Sequence, residues 1–149
     1  MSISPSEKIR FAVIGCGHIG KRHAEMIQRN PACELVAMCD IRPRADLGLE
    51  AIDVPFFSDA EEMLKTLPGI DVVNVCSPNG LHVPRSLLAL NHRKHVVCEK
   101  PMGLSKADWE AVIYKALQMH RNVFGVMQNR YSPPSQWVRS VVDQGLLGE

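Results

Sequence analysis

The sequence predicts an α/β protein: a doubly wound parallel sheet with flanking helices. Three observations predict it. The apolar run Ile9–Ile14 ends in a glycine triplet, Gly15, Gly17 and Gly20. Further apolar runs, Glu34–Cys39, Val54–Phe57, Val72–Cys76, His95–Cys98 and Val123–Met127, alternate with helical stretches. These runs are nearly continuous and rich in Val and Ile, as strands of a parallel sheet covered on both faces should be.

The first element sets the fold's character. A glycine-rich turn that leaves a buried strand and opens a helix can hold a dinucleotide's pyrophosphate against backbone N–H groups and the positive end of the helix dipole. Gly15 permits the tight turn, Gly17 leaves no Cβ between backbone and phosphate, and Gly20 lets the helix pack on the strand. His18 and Ile19 complete the G-x-G-x-x-G spacing and belong with the candidate cofactor-binding residues. A phosphate-free βαβ turn has the same spacing, so context decides. The helix His18–Asn30 places Ile19, His23, Met26 and Ile27 at helical spacing. After the second strand, Asp40 stands twenty positions past Gly20, where an acid can accept hydrogen bonds from the adenosine ribose hydroxyls. The expected fold is therefore Rossmann-type, with NAD as cofactor. NADP stays the alternative, because Arg42 and Arg44 follow Asp40 and a guanidinium can bind the extra phosphate. Asp40 at the strand tip favours NAD, with Arg42, just before Pro43, facing solvent.

The remaining helices are expected over Arg44–Ala51, Ala60–Leu67, Val83–Leu90 and Lys106–His120. Ser58–Asp59 caps the second of these, Glu61 and Glu62 occupy its first turn, and Leu67–Pro68–Gly69 stops it. In a doubly wound sheet the ligand crevice lies beyond the strands' carboxyl ends. The segment after the fourth strand, Cys76–His82, puts Ser77, Pro78, Asn79 and His82 at that edge. They can contact the nicotinamide half of a cofactor, or form a plain turn with His82 as an ordinary first-turn residue. After the fifth strand come Glu99, Lys100 and Pro101. A lysine abutting a buried run can serve as proton donor, acceptor or anchor, whereas a surface pair would be trivial. At the sixth strand's end Gln128–Pro134 brings Asn129 and Arg130 to the same edge. Arg130 can meet a phosphate or carboxylate, or cap the helix that follows. That helix is expected over Ser135–Leu147, beyond the only dense proline punctuation, Pro133–Pro134.

Composition narrows the function classes. With 149 residues and 46% hydrophobic content the chain can bury one full core. Seventeen basic and sixteen acidic residues leave a net charge of +1, with no basic run beyond Arg93–Lys94, so neither nucleic acid nor a membrane surface is an expected partner. The start, MSISPSEK, lacks the layout of a secretory signal, and no stretch approaches a membrane span of about twenty apolar residues. A cytoplasmic protein with reduced thiols is expected: its five cysteines form no C-x-x-C. His92, His95 and Cys98 do not read as a metal site, because strand alternation separates His95 from Cys98.

Taken together, GCGHIG, Cys39–Asp40, CSPNGLH, CEKP and QNRYSPP resemble the N-terminal domain of the glucose–fructose oxidoreductase, inositol dehydrogenase and rhizopine-catabolism (GFO/IDH/MocA) family across essentially the whole chain. The resemblance implies that Gly15, Gly17 and Gly20 line the pyrophosphate and that Asp40 reads the adenosine ribose. It implies that Pro78, Asn79 and His82 flank the nicotinamide, with Glu99 on its ribose. Lys100 would bind the reacting hydroxyl and take part in its proton transfer, and Asn129 and Arg130 would border the pocket. It further implies a dinucleotide-binding domain over residues 1–130 and a connecting helix over 131–149, leading to a second open-sheet domain that this chain lacks. That domain would bring most substrate contacts and a second base, so the chain alone is expected to be inactive. The expected activity is NAD(P)-dependent oxidation or reduction of a sugar, polyol or nucleotide sugar at a carbinol carbon, by a homo-oligomer when complete. QNRYSPP resembles the branch that acts on nucleotide sugars in surface-polysaccharide and lipopolysaccharide synthesis, the UDP-N-acetylglucosaminuronate 3-dehydrogenases. An NAD-recycling glycoside hydrolase and a non-catalytic dinucleotide-binding module are the alternatives.

Overall fold

The computed structural model describes residues 8–148; the polar start at Met1–Glu7 and the terminal Glu149 lie outside the described residues. Strands β1 (Ile9–Ile14), β2 (Cys33–Cys39), β3 (Phe56–Phe57), β4 (Val72–Val75), β5 (His95–Cys98) and β6 (Val123–Gly125) form one sheet in the order β3-β2-β1-β4-β5-β6. Every pairing is parallel. Among the described residues five α-helices accompany them: α1 (His18–Arg29), α2 (Ala60–Thr66), α3 (His82–Asn91), α4 (Lys106–Met119) and α5 (Pro133–Asp143). The doubly wound architecture read from the sequence is the one observed.

Strand alternation sorts the core into two layers. Ala12 and Ile14 of β1 join Val73, Val75, Val96 and Cys98 under α2, α3 and α4, which contribute Met63, Leu64, Leu90 and Val112. Val13, pointing the other way, meets Leu35, Met38 and, from α1, Ala24 and Ile27. Alternation in β2 breaks once. Phe11 pairs with Leu35 but Ala12 with Ala37, so Val36 is an extra residue in a bulge, and Val36 and Ala37 pack on the same layer.

Among the described residues, only α1 and the short segment after β2 pack on the α1 side, and no buried residue of that layer comes from β5 or β6. Val96 and Val123 pack on the opposite side, so Val97 and its neighbour Phe124 face the α1 side beyond β4, and Phe124 is 54% exposed. Helix α5 is similarly unpacked: it buries no residue, and Trp137, Val138 and Val142 stay exposed.

Element ends differ from the sequence reading for local reasons. The expected Arg44–Ala51 helix is a single 3-10 turn, Arg44–Leu47, because Gly48 takes a left-handed conformation (φ 61°) and stops it. The third strand shortens to two residues and the sixth ends at Gly125. Helix α5 begins at Pro133 because Ser132 caps it, its Oγ accepting from Ser135 N–H, and it stops at Asp143 ahead of Gly145 at φ 68°. Asp59 caps α2 as expected, its carboxylate accepting from Glu62 N–H at 2.8 Å.

Two glycines are required by the fold itself. Gly15 has φ 91°, and a Cβ there would lie 2.5 Å from Ser77 N. A Cβ on Gly20 would lie 1.9 Å from the Gly15 carbonyl oxygen, main chain that has no room to move. Gly20→Ala is expected to cost about 2 kcal/mol or more, lowering Tm by roughly 5 °C or more. Thermal and urea unfolding followed by circular dichroism check this, with Asp59→Ala, a lost cap worth about 1 kcal/mol, for comparison.

Candidate cofactor and active site

Because the strands are parallel, the glycine turn, Asp40, the Ser77–Asn79 segment, Glu99–Lys100 and Gln128–Arg130 all follow carboxyl ends of strands and share one edge. The turn is held from beneath. Gly15 N–H donates to the Cys39 carbonyl at 2.8 Å, and Cys16 N–H donates to Asp40 Oδ2 at 2.7 Å. Asp40 Oδ1 accepts from Arg42 N–H at 2.9 Å, and the half-exposed Arg42 guanidinium lies 3.6 Å from the same oxygen. Asp40 therefore braces the glycine turn, a role its position in the sequence did not reveal.

The start of α1 fits an anion. Gly17 is its N-cap, no side chain caps it, and its first turn carries no acid. The first N–H groups of the helix thus have no side-chain partner, and the helix dipole puts partial positive charge there. Gly17 has an ordinary φ of −67°, and a Cβ on it would meet nothing within 4 Å. Folding does not require glycine at this position. What a Cβ would occupy is the open space in front of the helix, where a pyrophosphate would approach the main chain. His18 and Ile19 are exposed beside it.

On the other half of the edge, Pro78 and Asn79 are exposed at the start of a 3-10 turn, and Ser77 Oγ is buried without a partner. His82 stands behind this segment. It is 1% exposed, and its ring nitrogens lie 2.7 Å from the Ser77 carbonyl oxygen and 2.6 Å from that of Pro101. Neither nitrogen is free for a ligand; His82 ties the loop after β4 to the loop after β5. Glu99 is 9% exposed and each of its oxygens has a partner in the protein, Oε1 with His23 Nε2 at 3.0 Å and Oε2 accepting Lys100 N–H at 3.1 Å. Lys100 itself is exposed.

Lys100 borders two cavities. The larger, about 520 Å³, runs from Ile19 along α1 past His23 to Glu99, Lys100, Val126 and Gln128. The smaller, about 310 Å³, is walled by Lys100, Met127, Gln128, Asn129 and Arg130. Ser132, not Arg130, supplies the side-chain cap of α5.

Two further residues stand at the site. In the sequence His23 is marked only by its helical spacing, and Asn74 carries no motif. Asn74 is 4% exposed in the middle of β4, with Nδ2 2.9 Å from His23 Nδ1. A polar residue inside the apolar run VVNV was the available signal, since a buried amide needs a partner.

Three thiols, those of Cys16, Cys39 and Cys98, belong to the core. All five cysteines are free, and no group of His, Cys, Asp and Glu among the described residues could hold a metal ion. Burial, then the Asp40 charge, pushes the Cys16 thiol up to about 12, and burial pushes Cys39 up to about 11. A raised pKa keeps the thiol protonated at neutral pH, so Cys16 and Cys39 are expected to resist iodoacetamide in the native chain at about pH 8 while the half-buried Cys33 reacts. Mass spectrometry of the alkylated peptides reads the difference, which should vanish in urea.

Residues 9–127 match the GFO_IDH_MocA family, described as an oxidoreductase family with an NAD-binding Rossmann fold. D-glucoside 3-dehydrogenase from Escherichia coli (strain K12) is 32% identical, over 99% of this chain and 43% of its own length. Inositol 2-dehydrogenase from Rubrobacter xylanophilus is 31% identical, over 96% of this chain and 42% of its own length. The crystal structure of the WlbA dehydrogenase from Bordetella pertussis, in complex with NADH and UDP-GlcNAcA, matches with a TM-score of 0.87 and 33% identity, covering 95% of this chain and 44% of that one. The chain therefore spans less than half the length of these relatives. The family match runs from the first residue of β1 to past the end of β6. The chain belongs to the GFO/IDH/MocA oxidoreductase family and carries its NAD-binding Rossmann fold.

Proposed function

We propose that this chain is the cofactor-binding half of an NAD-dependent dehydrogenase acting on a CH–OH carbon of a sugar, polyol or nucleotide sugar. The observation that carries the reading is the shared cavity: Ile19 of the glycine turn and Lys100 border the same space of about 520 Å³. A reactive lysine and a dinucleotide cradle are of use to each other only at such range.

The start of α1 holds the pyrophosphate, with Gly17 giving it access to the main chain and Asp40 facing the adenosine ribose. When bound, the nicotinamide supplies the two-electron redox chemistry. Lys100 anchors the substrate hydroxyl and accepts its proton in the oxidising direction. His82 and Glu99 act from behind: they keep the two loops that carry Asn79 and Lys100 in a fixed relation, which favours reaction by pre-positioning. Asn129 and Arg130 border the substrate side of Lys100.

The remaining substrate contacts belong to a second domain, toward which residues 131–149 lead. The unpacked apolar side of α5 and the greater length of the relatives support this. Among substrates, a nucleotide sugar is favoured by the QNRYSPP segment and by the likeness to a dehydrogenase crystallised with UDP-GlcNAcA.

NAD is preferred over NADP, because the Asp40 carboxylate repels a 2′-phosphate, while the Arg42 guanidinium is drawn toward Asp40. Fluorescence titration of the chain should show NADH binding about tenfold tighter than NADPH. Asp40→Asn, which keeps an oxygen for Cys16 N–H but loses the charge, should narrow that gap. Tighter NADPH binding, lost in Arg42→Ala, would overturn the preference. Gly17→Ala should unfold within about 2 °C of the parent yet bind NADH at least about tenfold more weakly. Unchanged NADH affinity in that variant would remove the cradle from the proposal.

A further inference from the structure

Beneath α1 lies a polar chain that crosses three elements. Asn74 of β4, His23 of α1 and Glu99 at the end of β5 are joined by Asn74 Nδ2 to His23 Nδ1 at 2.9 Å and His23 Nε2 to Glu99 Oε1 at 3.0 Å. The chain ends on the main chain of Lys100, whose N–H donates to Glu99 Oε2 at 3.1 Å. His23 and Glu99 side chains are 15% and 12% exposed, so water does little to weaken these bonds.

The donor inventory fixes the state of the ring. An amide nitrogen only donates, so His23 Nδ1 must present its lone pair to Asn74. A neutral ring then carries its proton on Nε2, which donates to a Glu99 carboxylate that only accepts. Asn74 Oδ1 is left buried without a partner. Were the amide turned over, Oδ1 would face Nδ1 and demand a proton there, and with Nε2–H still on Glu99 the ring would be an imidazolium. The orientation of one buried amide is therefore coupled to the charge of His23. The other groups around the pair are few. Arg22 on the same helix and Lys100 supply positive charge at the cavity wall, and Gln128 beyond β6 is neutral. The Cys76 thiol, near the Glu99 charge, is pushed up first by burial and stays protonated.

We propose that His23 is a positioning residue for Lys100: held in its Nε2–H form by the Asn74 amide, it fixes the Glu99 carboxylate, which in turn holds the main chain at Lys100. The importance of Lys100 rests on the dehydrogenase reading above; the clamp does not. It explains why helix α1, which presents the pyrophosphate site at one end, also carries an imidazole on its inner face one turn further along. One helix sets both the cradle and the lysine.

Nitrogen-15 NMR of the histidine rings in the 149-residue chain, without cofactor, tests the clamp. At about pH 8, where an unperturbed histidine is neutral, His23 should show a proton on Nε2 and none on Nδ1. Asn74→Asp, which offers only acceptors, should protonate both nitrogens at that pH. His23→Leu should lower hydrogen-exchange protection of the Lys100 amide about tenfold or more while the Val72–Val75 amides keep theirs. His23→Gln, which retains an N–H for Glu99, should restore most of that protection. An Nδ1–H ring in the parent, or Lys100 protection unchanged in a folded His23→Leu, would overturn the proposal. If His23→Leu does not fold, the parent ring and Asn74→Asp decide it. None of these readouts needs NADH or a substrate, so a failed clamp leaves the dehydrogenase reading standing, and a chain that does not bind NADH leaves the clamp standing.

Discussion

The close approach of Gly20 to the Gly15 carbonyl is the constraint on which the rest depends. With no Cβ at Gly20, α1 descends onto β1 directly after the turn, and its second turn comes to rest over β4, with His23 reaching the Glu99 that follows β5. A helix seated farther out would still have a positive end, but that end would no longer stand over the strand tips. The glycine motif is usually discussed as a phosphate site. In this chain one of its glycines works chiefly on packing, one on backbone conformation, and only Gly17 is left without a structural duty.

The crevice is built by main chain and braced by side chains that bond to the protein itself. Asp40 steadies the glycine turn through Cys16 N–H, His82 spans two carbonyls, and Glu99 spends both oxygens inside the protein. Loops at a sheet edge carry many unpaired polar groups, and a cofactor site that relied on them alone would be soft. Buried charge-assisted hydrogen bonds hold these loops to one another while Lys100, Asn79 and Arg130 remain free to meet a ligand.

The fold was legible in the sequence because a parallel sheet writes itself as apolar runs divided by glycine, proline and capping residues. Asp59 and the glycine triplet marked their elements. Elements shorter than a full turn or pair were not legible: Arg44–Leu47 and Phe56–Phe57 are set by Gly48 and by the neighbouring strand rather than by their own periodicity. At the site, residue positions were legible and their partners were not. The resemblance gives Glu99 and His82 as ligand contacts, and the sequence does not show the partners they take inside the protein, His23 for Glu99 and the Ser77 and Pro101 carbonyls for His82. His23 and Asn74, 51 positions apart, become neighbours only when the sheet is assembled.

The bulge at Val36 changes how the chain can vary in length. Elsewhere in β2, losing one residue would move every following side chain to the opposite layer, sending Cys39 and Asp40 to the wrong side of the sheet. At Val36 the surplus residue is already present, so its deletion would leave Leu35 opposite Phe11 and Ala37 opposite Ala12, with the inward and outward sets unchanged. The second strand thus contains a single point at which the chain can shorten by one and keep Asp40 under the glycine turn.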